Sequence, residues 1–435
     1  MERREVYLDH AALAPLDKRV FLAMEPYLKG GYGNPSSIYT RGRATRDKIG
    51  DCRTEISWIL HCQSDEIVFT SGGTESDNLA ILGVARANSK SEILNSKQIQ
   101  NSDVQNSKLN SMFQNSESRC KGHIITTQFE HHAVLNACKQ LESEGFEVTY
   151  LPVDKDGLVK LEDIKQAIRP ETILISIMYA NNEIGTVQPI AEIGNWLKTQ
   201  KSIRQLADKS QNNGKIYFHT DACQAAGYLD LDVNRLNVDL LTSNGTKIYG
   251  PTGIGILYVR NGVKIQPVIF GGGQQGGLRS GTENILGIVG FTEALKIADR
   301  ERTGESARLA KLRDYLIDGV LTRISNTGLN GSKVNRLPGN ANFSFYGVEG
   351  EAMVLMLDEE GIAVSTGSAC NSDSLEPSHV LKAIGLSHEG AHGSLRFSLG
   401  RRTTKQDIDY VLAVLPSVVS RLRSISAIRS DKEKI

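Results

Sequence analysis

The sequence predicts an α/β protein, with a large domain built on a mainly parallel seven-stranded sheet and a smaller α+β domain after it. Three observations lead there. Between Ile67 and Val259, short β-branched runs alternate with helical or polar stretches, the pattern of strands joined by crossover helices. Beyond about Asn284 the texture changes to long helical patterns with few strands. A chain of 435 residues, 40% hydrophobic and 23% charged, is long enough for two cores of ordinary composition.

The expected strands of the large domain are Ile67–Thr70, His123–Thr127, Glu147–Leu151, Thr172–Met178, Ile216–His219, Leu240–Ser243 and Ile254–Val259. Helical periodicity fills Glu75–Ala87, Ala133–Glu144 and Leu161–Ile168. Two long helical patterns follow over roughly Ile285–Ile324, then a strand Ala341–Phe345, a helix Glu349–Glu360 and a strand Leu395–Leu399. A last helix starts near Thr403, where Thr403 and Gln406 have capping-box spacing. These elements divide the chain into a large domain, 15–284, and a small one made of 1–14 and 285–424, with a basic tail at 425–435. Residues 88–120 carry six Asn-Ser dipeptides and few core residues. This stretch reads as a flexible, low-complexity insertion.

Lys plus Arg equals Asp plus Glu, 50 against 50, which draws the chain to neither nucleic acid nor an anionic membrane. No apolar run approaches the length of a membrane span. The N-terminus lacks the apolar core of a secretory signal. A cytoplasmic location is the expectation. The cysteines, Cys52, Cys62, Cys120, Cys138, Cys223 and Cys370, include no Cys-x-x-Cys pair, so a metal site is not expected.

Four local features ask for one explanation. Thr70-Ser-Gly-Gly-Thr-Glu-Ser-Asp77 turns from a strand into a helix, where free N–H groups attract an anion such as phosphate. Thr74 fits either as the N-cap or as a hydroxyl donor to that anion. Asp221 follows the strand Ile216–His219, at the edge where open α/β sheets bind ligands. Lys247 follows the strand Leu240–Ser243 inside a glycine-rich loop; a lysine turned inward there can form a Schiff base. Gly271–Thr282 is too rich in glycine for core and reads as a loop shaped around a ligand or a neighbouring subunit.

Together with Asn181-Asn-Glu-Ile-Gly185, Asp221-x-x-Gln224, Lys247-Ile-Tyr-Gly-Pro251 and Arg279-Ser-Gly-Thr282, these motifs resemble the cysteine desulfurases, from Tyr7 to about Leu422. Those are pyridoxal-phosphate (PLP) enzymes of aminotransferase class V with the PLP type I fold. The resemblance implies that Lys247 carries PLP, Asp221 pairs with its pyridine nitrogen, Gln224 bonds the ring oxygen and His131 stacks on the ring and moves protons. It assigns the phosphate to Gly73, Thr74, Asn244 and Thr246, with Thr282 reaching in from the second subunit of a homodimer. Asn182 and Arg396 would address the substrate, Arg396 through its carboxylate.

Cys370 lies in Ser365-Thr-Gly-Ser-Ala-Cys-Asn-Ser-Asp-Ser-Leu-Glu-Pro377, among small and polar residues with no apolar pattern to bury it. Cys138 and Cys223 read instead as core residues. The segment is similar to the long active-site loop of the iron–sulfur-assembly branch. The resemblance therefore implies removal of sulfur from L-cysteine, giving L-alanine and a persulfide on Cys370. The sulfur would pass to a protein acceptor, an iron–sulfur scaffold or a tRNA-thiolation enzyme. A selenocysteine lyase or a cystine lyase-like PLP enzyme would share the same site. The chain departs from the family at Asn244 and Thr246, where serine and histidine are usual, at Gly276, where arginine is usual, and at Ala12-Leu-Ala14.

Overall fold

The computed structural model describes residues 4–31, 33–89, 120–199, 215–366 and 377–426. Strands are numbered in chain order: β1 Val6–Tyr7, β2 Ile67–Thr70, β3 His123–Thr127, β4 Glu147–Leu151, β5 Thr172–Ser176, β6 Tyr217–Asp221, β7 Leu240–Asn244 and β8 Gly255–Val259. There follow β9 Thr327–Leu329, β10 Asn340–Phe345, β11 Ile362–Ala363 and β12 Ser394–Ser398. The large sheet has seven strands in the order β2-β8-β7-β6-β5-β3-β4. Its neighbours are parallel except at β8, which runs antiparallel to both β7 and β2. Six strands therefore point one way and end on a common edge. β2, β3, β5 and β6 are buried along their whole length, as expected of strands covered on both faces.

The second sheet, β12-β10-β9, is antiparallel, and β1 pairs in parallel with β11. The chain's N-terminal strand is thus built into the C-terminal part of the fold.

The two helical patterns expected over Ile285–Ile324 are one continuous helix, Ile285–Arg323, of 39 residues. Ile288, Phe291, Leu295 and Ile297 are buried in the core of the large sheet, whereas Leu309, Leu316, Ile317 and Val320 join the core of the small one. The polar stretch between them broke the apolar periodicity because the helix changes core there, not because it ends. The last helix, Lys405–Ile425, has its capping box one residue later than expected. Thr404 and Asp407 cap each other, while Thr403 is buried and its Oγ1 accepts from the Gly400 N–H at 2.9 Å. The Asn-Ser-rich stretch from residue 90 to 119 and the tail from residue 427 lie outside the described residues.

Candidate active site

The C-terminal ends of β2, β3, β5, β6 and β7 deliver the predicted residues to one edge of the sheet. From β2 the chain passes through Gly72, at φ 151°, into a helix beginning at Gly73. Gly72 is the N-cap, so Thr74 is the second helical residue rather than the cap. No side chain caps this helix, which leaves its first turn for another acceptor. A Cβ on Gly73 would meet Cys223 Sγ at 2.7 Å and lie 3.6 Å from Asn244 Nδ2. The helix start is therefore pressed against the segments after β6 and β7. Glu75 is ion-paired with Arg279 at 2.9 Å, which ties the Gly271–Thr282 loop to this helix.

That loop is more structured than its composition implied. Gln275 is buried at φ 53°, and its Oε1 accepts from Arg53 and from the Phe69 N–H. Thr282 is exposed at the loop's end.

Asp221 is the last residue of β6, which runs two residues past the expected end at His219, and is buried. Its Oδ1 accepts from the Cys223 N–H at 2.8 Å. Two residues back, on the same face of the strand, His219 is fully buried between Ser176 Oγ (2.9 Å, at Nδ1) and Thr242 Oγ1 (3.1 Å, at Nε2). Burial holds its imidazole down to about 4. Asp77 Oδ1 lies 3.7 Å from His219 Nε2. Burial, and then repulsion from Asp221, push the Asp77 carboxyl well above the usual carboxylate range. His219 therefore brings no charge to this cluster at neutral pH.

Asn244 ends β7 and caps the turn that carries Lys247. Its Oδ1 accepts from both the N–H and the hydroxyl of Thr246, each at 3.1 Å. The two departures from the family pattern are thus partners of each other. Lys247 Nζ turns inward and donates to the Ala11 carbonyl at 2.9 Å and the Ala12 carbonyl at 2.6 Å. Gln224 Nε2 shares the Ala11 carbonyl at 3.0 Å. A small pocket beside them is lined by His10, Ala11, Gln224, Lys247, Asn340 and Ser398, among others.

His131 follows β3 and caps the helix His132–Ser143, its Nδ1 accepting from the Ala133 N–H at 3.1 Å. This places the ring proton of the neutral form on Nε2. Burial lowers its affinity for a second proton, while the Asp221 charge works the other way. The charges of Asp221 and Lys247 both reach His131, which puts the three residues in one electrostatic neighbourhood.

Arg396, on β12, is buried; its NH2 donates to Asp9 Oδ1 at 2.7 Å and its NH1 to the Asn182 carbonyl at 3.0 Å, while Nε has no partner among the described residues. Asp9 was not singled out in the sequence, and nothing in its local pattern marks it. Glu130 and Glu183 were also missed. Burial pushes Glu130 up to about 8 although Thr127 and the Met178 N–H donate to it. Burial likewise pushes Glu183 up to about 7, against the Ser378 hydroxyl and the Arg396 charge. Cys138 and Cys223 are buried, as expected of core cysteines. Cys370 lies outside the described residues.

The Aminotransferase class-V family model matches residues 6–104 and 100–411. The cysteine desulfurase IscS of Dictyoglomus turgidum is 50% identical over 430 residues, covering 99% of this chain and 98% of that protein. Among solved structures, a NifS-like protein superposes with a TM-score of 0.79 at 33% identity, over 96% of this chain and all of its own. SspA in complex with cysteine superposes with a TM-score of 0.71 at 36% identity, over 91% of this chain and 98% of its own. The chain belongs to the class-V aminotransferase family and, within it, to the cysteine desulfurases.

Proposed function

We propose that this protein is a PLP-dependent cysteine desulfurase that takes sulfur from L-cysteine onto Cys370 and releases L-alanine. The observation that carries the reading is the inward amine of Lys247, beside Gln224 and in the electrostatic neighbourhood of Asp221 and His131, at the edge where the parallel strands end. The donor set fits the cofactor. An uncapped helix start at Gly73, crowded by Cys223 and faced by the Asn244 amide, suits a phosphate, with Thr74 and Thr246 beside it. Asp221 keeps one carboxylate oxygen beyond the Cys223 N–H for a ring nitrogen.

Bound PLP supplies an electron sink for charge developing at the substrate Cα. The chain's residues do the rest. Asp221 holds the ring nitrogen protonated, and Gln224 donates to the ring oxygen. Lys247 leaves the Ala11 and Ala12 carbonyls to hold the cofactor and then, as a free amine, takes the Cα proton. His131 holds a proton on Nε2 for transfer. Asn182 and Arg396 orient the substrate, whose carboxylate competes with Asp9 for the guanidinium. The Cys370 thiolate attacks the substrate sulfur; the S–S bond forms as the C–S bond breaks, and the fragment takes up a proton and leaves as alanine.

The reading extends to a homodimer that brings in Thr282 from the second copy. Phe21, Leu22, Trp58 and Phe270 are each exposed, apolar side chains that a second copy would shield from water. It extends also to a cytoplasmic location and to a sulfur-accepting protein of iron–sulfur assembly or tRNA thiolation. Among the described residues, no helix is long and apolar enough to cross a membrane. Lys247→Ala tests the assignment: turnover of cysteine and the lysine–PLP absorbance band are both expected to disappear, and survival of both removes Lys247 from its role.

A further inference from the structure

The segment holding Cys370 is followed by a helix, His379–Ala383, that is fastened to the edge of the active site by contacts the reaction itself does not use. Its N-cap is Ser378, whose Oγ accepts from the Val380 and Leu381 N–H groups at 3.1 and 3.3 Å. The same hydroxyl donates to Glu183 Oε2 at 2.5 Å. Glu183 and Ser378 are both buried. Glu183 stands next to Asn182, and its own carbonyl accepts from the side-chain amides of Asn340 and Asn342 at 3.1 and 3.2 Å.

The far side of the helix is keyed to the His131 turn. His379 Nε2 donates to the Glu130 carbonyl at 2.9 Å, and the His379 ring lies 4.6 Å from that of His132. Between these two fastenings, Val380, Leu381 and Ile384 pack on Phe129, Met178 and Ile184 in a small core of their own.

We infer that Glu183, acting through the Ser378 hydroxyl, is a positioning residue for sulfur transfer: it fixes the point from which the chain leads back to Cys370. This rests on the reading of Cys370 as the sulfur acceptor. Ser378 lies eight positions after Cys370, so the chain returns to that thiol from this anchor. A shift of the anchor moves that starting point relative to Asn182 and the His131 turn. Glu183 is suited to the task because the peptide that presents Asn182 also presents its carboxyl. The substrate turn and the anchor therefore move as one body.

The test uses the full-length PLP-loaded enzyme and the variants Glu183→Gln, Ser378→Ala and Ser378→Thr, with the double variant Glu183→Gln/Ser378→Ala. Two quantities are read: the single-turnover rate of persulfide formation on Cys370, and the affinity for L-alanine from the cofactor's absorbance. Glu183→Gln and Ser378→Ala should each slow persulfide formation about tenfold, the size of one weakened or lost hydrogen bond, with alanine affinity within about twofold of the parent. The double variant should be no slower than the slower single one. Ser378→Thr, which keeps the hydroxyl and the cap, should restore the rate. Wild-type rates in the single variants, losses that multiply in the double variant, or an equal loss of alanine affinity would overturn the inference. A parent enzyme that forms no persulfide on Cys370 would instead overturn the functional reading beneath it.

Discussion

Asp221 shows how one side chain acquires a role from its neighbours. Its carboxylate ends a buried strand with one oxygen held by the Cys223 N–H; behind it His219 is held to about 4, and burial pushes the Asp77 carboxyl above the usual carboxylate range. Replacing Asp221 by asparagine keeps the shape and removes the charge. Asp221→Asn is expected to lower kcat by roughly 100-fold or more and to raise the fraction of cofactor lost on dialysis; a kcat within a few-fold of the parent would contradict this. Lys247 and Asp221 drew attention because each follows a strand inside a motif, whereas Gln224, His131 and Arg396 came from the family resemblance. Asp9 and Glu183 were not noticed because Arg396 and Ser378, their partners, lie far along the chain. Glu130 has a near partner in Thr127, but its burial against the Met178 N–H is set by the fold.

Among the elements, the turn after β2 is the most tightly specified. Gly72 takes a φ that favours glycine, and Gly73 has no room for a Cβ beside Cys223 Sγ. Gly73→Val is expected to destabilise the protein by about 1–3 kcal/mol through overpacking and to weaken PLP binding more than tenfold. The first is read from urea midpoints of the apoprotein and the second from cofactor titration; unchanged cofactor affinity would separate this turn from the phosphate. Strands of the large sheet were readable because buried β-branched runs are short and bounded. The β1–β11 pair escaped notice because two residues carry no periodicity. The helix Ile285–Arg323 was misread as two because amphipathic periodicity reports which core a helix faces, and this one faces two in turn.

For the whole molecule, the buried acids leave a pH signature. Glu130 and Glu183 are raised to about 8 and about 7 from an ordinary 4.5. Between those limits the folded state holds protons that the unfolded chain has released, so stability falls as pH rises. The buried histidines act in the opposite sense. Those at 123 and 219 are held to about 4, so they cost stability as pH falls below 6.5, where the unfolded chain takes up protons. Above pH 6.5 the buried acids dominate, with Asp77 raised in the same direction as the two glutamates. Stability should therefore decline from pH 6.5 to 8, and Glu130→Gln should flatten that decline, as read from urea midpoints across the range. An equally steep decline in the variant would show that Glu130 is not its source.

The proposed reaction ends in one transfer, and the thiol proposed to receive the sulfur can be examined directly. The purified PLP-loaded enzyme, mixed with one equivalent of L-cysteine, digested without reductant and read by mass spectrometry, should carry one added sulfur on the peptide containing Cys370, with one alanine released per sulfur. Alanine formed at the normal rate with the sulfur on another cysteine, or on none, would contradict the account.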